Sequence, residues 1–204
     1  MSNFEYIIAS LPYLTRDFKY AEGQGFRHVI EEIRENLSEK DNEALDFLLK
    51  GFDASQADFY REALQHKLPF IREYFSYDLD LRNAKVRYLN RQLGRNPSED
   101  VVSLAEEEGM EEPLREFEED SQVWEALTLT DLVAREKALD DICWAKADKL
   151  STFHYFDLTA VLAYVVKLHI ANRWLALDEA RGKQLFRKLV EEVRGTFNGV
   201  KYQE

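Results

Sequence analysis

The sequence predicts an all-α protein of two packed helical bundles joined through an acidic segment. Three observations carry that expectation. The composition is rich in hydrophobic (45%) and charged (32%) residues, with only 8 Gly and 4 Pro in 204, the balance of a helical domain. A run from Pro69 to Gly94 keeps one apolar stripe at helical spacing. Near the C-terminus two further runs, Leu132 to Leu150 and Phe156 to Leu177, are joined only by Ser151 to Tyr155. That short connection makes them antiparallel neighbours.

Taken in order, Phe4 to Leu14 is apolar without a clear period, and Pro12 limits any helix through it. An extended or short helical lead-in packed on the core is expected. Gly23 and Gly25 mark a loop. Phe26, Val29, Ile30, Ile33 and Leu37 then recur at helical spacing. Asp41 is the expected N-cap of a short helix that uses Leu45, Leu48 and Leu49 and stops at Gly51. Asp53 with Gln56 has the form of a capping box for the next helix, carried by Phe59, Ala63 and Leu64.

Pro69 suits the first turn of the long helix, whose end is set at Gly94. Its main stripe is Phe70, Tyr74, Tyr77, Leu81, Ala84 and Tyr88, and a second, Phe75, Leu79, Val86, Leu89 and Leu93, widens the buried face. Arg82, Lys85, Arg87 and Arg91 follow the last acid, Asp80. These four bases either complement the helix dipole on a solvated face, or form a surface for an acidic partner or for the chain's own acidic segment.

Residues 98–122 divide the chain into an N-terminal bundle, 1–97, and a C-terminal one, 123–204. Ser98 to Asp120 holds 11 acids against the single base Arg115, so it accounts for 10 of the 12 net negative charges. A linker or loosely packed excursion is expected there, or else a docking arm for a basic partner. Beyond it, Val123, Trp124 and Leu127 lead into Thr128-Leu-Thr-Asp131, a Thr-x-x-acid helix start. Asp157 is expected to cap the Phe156–Leu177 run. Asp178 is expected to cap a third helix ending at Gly195, with Leu185, Phe186, Leu189, Val190 and Val193 on its apolar face. Gly182 within that helix is unfavourable by about 1 kcal/mol relative to Ala, which suggests a close approach by another helix or by Trp174.

Several classes of chemistry lack their motifs. There is no Glu-x-x-His or His-Glu-x-x-His pattern, no phosphate-binding Gly-rich loop and no Gly-x-Ser-x-Gly elbow. His28, His66, His154 and His169 are scattered over different elements, and Cys143 is alone between Ile142 and Trp144, which fits a buried thiol in a reducing compartment. His154 and Asp157 suggest a local cap, and His169 a hydrogen-bonded core histidine. No metal, cofactor or catalytic residue is therefore assigned, and a non-enzyme is expected. The acidic balance argues against nucleic acid. Leu158 to Val166 is uncharged over 9 residues, short of the roughly 20 needed to cross a bilayer. The N-terminus, with Glu5 in place of a base, does not read as a signal peptide.

The residues singled out lie on the facing C-terminal helices. Arg135, Glu136, Asp140, Lys167, Asn172 and Arg173 are polar positions among apolar neighbours. Desolvation removes most of the gain from such pairs, and removing one partner is worse than removing both. A network that fixes helix register is one reading; a cavity that receives another protein is the other.

Three sets of residues carry a resemblance. They are Tyr6-Ile-Ile-Ala-Ser-Leu-Pro12; Arg135-Glu-Lys-Ala-Leu-Asp140 followed by Trp144; and Tyr164-x-x-Lys167-Leu-x-Ile-x-x-Arg173-Trp174-x-x-Leu177 with Gly182-Lys-x-x-Phe186-x-x-Leu-Val after it. Together they resemble the DUF2764 family of bacterial proteins, associated with V/A-type ATPase gene clusters and similar to the AC39-like stalk proteins of rotary ATPases. The resemblance implies an elongated or funnel-like, non-catalytic stalk protein that links the central shaft to the membrane rotor. Its partners would be rotary-ATPase stalk and rotor-ring subunits. It would be cytoplasmic and reach the inner membrane only through the complex. The chain is shorter than a three-bundle AC39-like protein, and no contact motif of those proteins carries over to particular residues. The alternative is a helical adaptor that binds a basic partner through Ser98 to Asp120.

Overall fold

A computed structural model describes residues 2–17, 25–104 and 117–176. Among them the architecture is all-α, with eight helices and no strand: α1 (Phe4–Ser10), α2 (Phe26–Asn36), α3 (Glu39–Phe52), α4 (Ala57–Leu64), α5 (Pro69–Gln92), α6 (Asp120–Thr128), α7 (Leu132–Leu150) and α8 (Leu158–Ala176). The helix expected from Asp178 to Gly195, including Gly182, and the 105–116 part of the acidic stretch lie outside the described residues.

The lead-in is a short helix. Asn3 Oδ1 accepts the Tyr6 N–H at 3.1 Å, Ile7 is buried in the core, and Leu11 turns extended ahead of Pro12. The expected starts of three other helices shift. Ser38, not Asp41, caps α3: its Oγ accepts the Asp41 N–H at 3.3 Å and donates to the Asp41 carboxylate. Asp41 is thus the third helical residue, and its carboxylate accepts from the Ser38 and Ser2 hydroxyls, while the Ser38 N–H donates to Ser2 Oγ at 2.7 Å and so does not close a capping box. Asp53 and Gln56 form no box, because α4 begins at Ala57 without a side-chain cap. Thr128 closes α6 by donating to the Glu125 carbonyl, and Asp131 caps α7 by accepting the Ala134 N–H at 2.7 Å. Asp157 does cap α8, accepting the Ala160 N–H at 3.1 Å.

Gly51 does not stop α3, which runs on to Phe52. It lies where rings cross the helix: a Cβ there would sit 2.1 Å from Phe75 Cζ and 2.7 Å from Phe59 Cζ. The end of α5 is as expected, with Gly94 at φ +68 just beyond it. Its main stripe is buried except for half-buried Ala84. The second stripe holds only at Phe75 and Leu79, and Leu89 and Leu93 are exposed. The reason is that α6 and α7 cover only the Tyr77, Leu81 and Tyr88 side of the second half of α5.

Helix α8 is the centre of the molecule. Val161, Leu162, Ala163, Val165, Val166, Leu168 and Ala171 are all sealed from solvent. Neighbours α1, α2, α3 and α7 surround it, which is why its apolar residues do not keep to one stripe. The larger interior joins residues of α1 to α5 with Trp144 and Ala147 of α7 and most of α8. Helices before and after the acidic stretch therefore share an interior. A second cluster joins Tyr77, Leu81 and Tyr88 of α5 to α6 and to Leu139 and Ile142 of α7.

The acidic stretch is anchored at both described ends. The buried Asn83 amide clasps the backbone of Val102, donating to its carbonyl and accepting its N–H, both at 2.9 Å. Asn90 donates to the Glu99 carbonyl at 2.6 Å, and Val102 and Leu104 pack on the main core. At the other end Lys146 Nζ meets Glu119 at 2.8 Å, with both side chains largely buried, and Lys149 pairs with Glu118.

Candidate functional site

Helices α7 and α8 place charges at matched heights. Positions 136, 140, 144 and 148 follow one another at four-residue steps, so they form one row along α7. Arg173 donates to Asp140 Oδ2, and the Trp174 indole N–H donates to the same oxygen at 2.6 Å. Glu136 lies 3.7 Å from the Arg173 guanidinium. Lower on the row, Lys167 Nζ donates to Asp148 Oδ1 at 2.9 Å and stands 5.8 Å from the Trp144 ring centroid. Partners rise in number on one helix as they fall on the other, so the pair is antiparallel, as the short connection requires.

The two ends of the Asp140–Arg173 bond differ in burial. The Asp140 side chain is 7% exposed and that of Arg173 43%. Burial raises the Asp140 carboxyl above its usual pKa, opposed by the charge of Arg173 and by the bonds from Trp174 and Arg173. Nearby, Tyr60 Oη donates to Asp78 Oδ2 at 2.7 Å. Burial raises the Asp78 carboxyl; burial, together with the charge of Asp78, raises the Tyr60 phenol. Cys143 is partly buried beside both interior clusters; burial pushes its thiol up to about 11, so it stays protonated at neutral pH.

Of the six polar positions read from the sequence, Glu136, Asp140, Lys167 and Arg173 join α7 to α8. Arg135 is one residue off the row and turns away: its guanidinium donates twice to the Leu129 carbonyl, at 3.0 and 2.7 Å, and lies 5.7 Å from the Tyr88 ring centroid. Asn172 is half-buried and makes none of these bonds. The four α5 bases do not form one patch. Arg82 donates to the Ala54 carbonyl at 3.3 Å, Lys85 is half-buried and its charge opposes the upward shift of the Asp78 and Asp140 carboxyls, and Arg91 lies over the Trp124 ring at 5.4 Å. Arg87 is half-buried and takes no part in these contacts. The six positions omit Asp148 and Trp174, which complete the α7–α8 bonds: Asp148 is the next member of the row at 136, 140 and 144, and Trp174 enters the sequence reading only as a ring that could approach Gly182 and as part of the third motif set.

The turn between α7 and α8 is the other notable feature. Phe153 holds φ +72 and is 84% exposed, with Tyr155 and Phe156 also exposed beside it. Local bonds fix this turn. Ser151 and Thr152 hydroxyls donate to carbonyls at the end of α7, and His154 Nδ1 lies 2.5 Å from Asp157 Oδ2. His169 is a core histidine, but it is held by rings: it stacks on Phe52 with centroids 4.0 Å apart and meets Phe26 edge-on. Between the turn and the lead-in opens a cavity of about 400 Å³ lined by Tyr13, Trp144, Tyr155 and Lys167 among others.

Among the described residues, no group of three or more His, Cys, Asp or Glu is placed to hold a metal ion, and no helix is long and apolar enough to cross a membrane. In comparisons with known proteins, a family model described as "Protein of unknown function (DUF2764)" matches residues 49–196. No curated protein and no solved structure matches.

Proposed function

The chain belongs to the DUF2764 family, and on that premise we propose that it is a non-catalytic helical subunit or accessory protein of a V/A-type rotary ATPase, linking the central shaft to the membrane rotor through protein contacts. The observation that supports a contact role is the α7–α8 turn. A bulky residue in the left-handed region costs of order 1 kcal/mol, and Phe153 adopts it with a ring that is 84% exposed. Its side chain gains nothing from the interior. With Tyr155 and Phe156 it forms an aromatic surface of the kind that anchors protein interfaces.

The surface stands on two rods joined by ion pairs at two heights, an arrangement suited to carrying load without sliding. In this reading the protein works in the cytoplasm, reaches the membrane through its partners and needs no cofactor. The acidic stretch is less suited as the docking arm, since Glu118 and Glu119 already bind Lys149 and Lys146 of the same chain. The test is affinity purification of the tagged chain from cells that express the ATPase. Stalk or rotor-ring subunits should be recovered with the wild type and lost with Phe153→Ser/Tyr155→Ser, whose thermal midpoint should be unchanged. Recovery of no ATPase subunit by the wild-type chain overturns the reading.

A further inference from the structure

The cavity behind the turn combines flat apolar walls with an unbalanced positive charge. Its volume, about 400 Å³, falls in the range of small-ligand sites. The Trp144 ring is buried at its base, and Tyr13 and Tyr155 stand at the mouth, 82% and 68% exposed. Lys167 reaches the lining from α8. Its ammonium has three N–H donors and gives one hydrogen bond, to Asp148.

The charge balance is local. Asp148 is shared by two cations, Lys167 at 2.9 Å and Arg16 at 3.5 Å, so this triad carries a net +1 within a chain of net charge −12. Asp17, next to Arg16, accepts the Thr15 hydroxyl, and the nearby Asp157 does not cancel the charge directly. That carboxylate faces His154 and accepts the Ala160 N–H at the start of α8, where the helix dipole supplies compensating positive charge.

We propose that this cavity binds a monoanion, a carboxylate carried on a planar apolar body, with the ring between Tyr13 and Tyr155 and the carboxylate on Lys167. A cationic ligand would meet the excess positive charge of the triad, and an uncharged one would offer the ammonium only a neutral acceptor in place of a charge-assisted bond. The carboxylate has two possible sources, a free aromatic acid or the C-terminal aromatic residue of a peptide. The proposal does not depend on the rotary-ATPase reading, since it concerns a ligand of the isolated chain.

The full chain is titrated by calorimetry with 3-phenylpropionate and its amide, and in parallel with Gly-Gly-Phe and Gly-Gly-Phe-amide. At least one acid should bind, and its amide should bind roughly tenfold more weakly, the loss expected when a charge-assisted bond becomes a neutral one. The arm that binds identifies the source, and either source supports the site. Tyr13→Ala and Arg16→Gln, both at exposed positions, should each weaken binding about threefold or more while the thermal midpoint stays unchanged. Lys167→Gln should abolish binding, and if that variant fails to fold, the two exposed variants decide. Equal binding of acid and amide, no binding of either acid at about 10 mM, or wild-type affinity in both exposed variants overturns the proposal.

Discussion

Replacing Arg173 by Met removes the cation beside Asp140 and leaves the carboxylate where it is, 7% exposed. Breaking a buried pair from one side costs about 3–5 kcal/mol. Here Arg173 is 43% exposed and the Trp174 N–H still binds the carboxylate, so about 2–3 kcal/mol is expected. The reverse change, Asp140→Asn, leaves a half-exposed guanidinium that water can solvate. The Asn oxygen can keep the Trp174 bond, and about 1 kcal/mol is expected. The double variant should cost less than the sum of the singles by about 1–2 kcal/mol, because no unpaired charge stays buried. Urea unfolding followed by far-UV circular dichroism measures all four proteins of the cycle. The reasoning is refuted if Asp140→Asn costs more than Arg173→Met, or if the two effects simply add.

Two other changes test the interior. Gly51→Ala should raise helix propensity by about 1 kcal/mol, yet the new methyl would lie 2.1 Å from Phe75 Cζ and 2.4 Å from its Cε1. A net loss of about 1–3 kcal/mol is therefore expected in urea unfolding, and an unchanged or raised midpoint would show that Phe75 yields freely. For His169, burial, with the charge of Arg173, holds the pKa below the usual 6.5. The unfolded chain takes up that proton first, so stability is full above about 6.5 and falls as pH drops through that value. His66, also lowered by burial, acts in the same direction. Asp78 and Asp140, raised by burial, act in the opposite one from the carboxylate range upward. Those groups stay in place in His169→Gln, so the variant should show a shallower loss of stability between about pH 7 and 5 than the wild type. Parallel curves would mean that His169 does not titrate differently in the two states.

The long helices could be read from the sequence because their apolar spacing persists for many turns, as in α5 and α7, or because the segment is apolar on every side, as in α8. Their starts were harder to read. A Ser or Thr three residues before an acid occurs in several overlapping frames, and packing decides which frame caps the helix; hence Ser38 serves where Asp41 was expected and Asp131 where Thr128 was. Gly51 shows the same limit, since a stop signal and a close-approach site look alike until Phe75 is placed against it. Asn83 and Asn90 carry no local mark of burial at all. What buries them is the irregular segment Glu99 to Val102 of the acidic stretch, whose backbone they satisfy and whose charges predict a linker.

Among the α7–α8 charges, the row at 136, 140, 144 and 148 separates the positions that pair across the helices from those that do not. Glu136 and Asp140 lie on it, Arg135 does not, and Asp148 is its next member. The row also bears on register. Sliding α8 by one turn, about 5.4 Å, in one direction moves Arg173 to the level of Trp144 and carries Lys167 past the end of α7 at Leu150. In the other direction Lys167 reaches Trp144, and Asp148 is left with exposed Arg16 alone. Either slide separates a carboxylate from the cation on α8 that it now meets, whereas an all-apolar seam would accept a one-turn shift at little cost. Net stability gains from such pairs are small; their physical consequence is one permitted alignment of two otherwise interchangeable greasy surfaces.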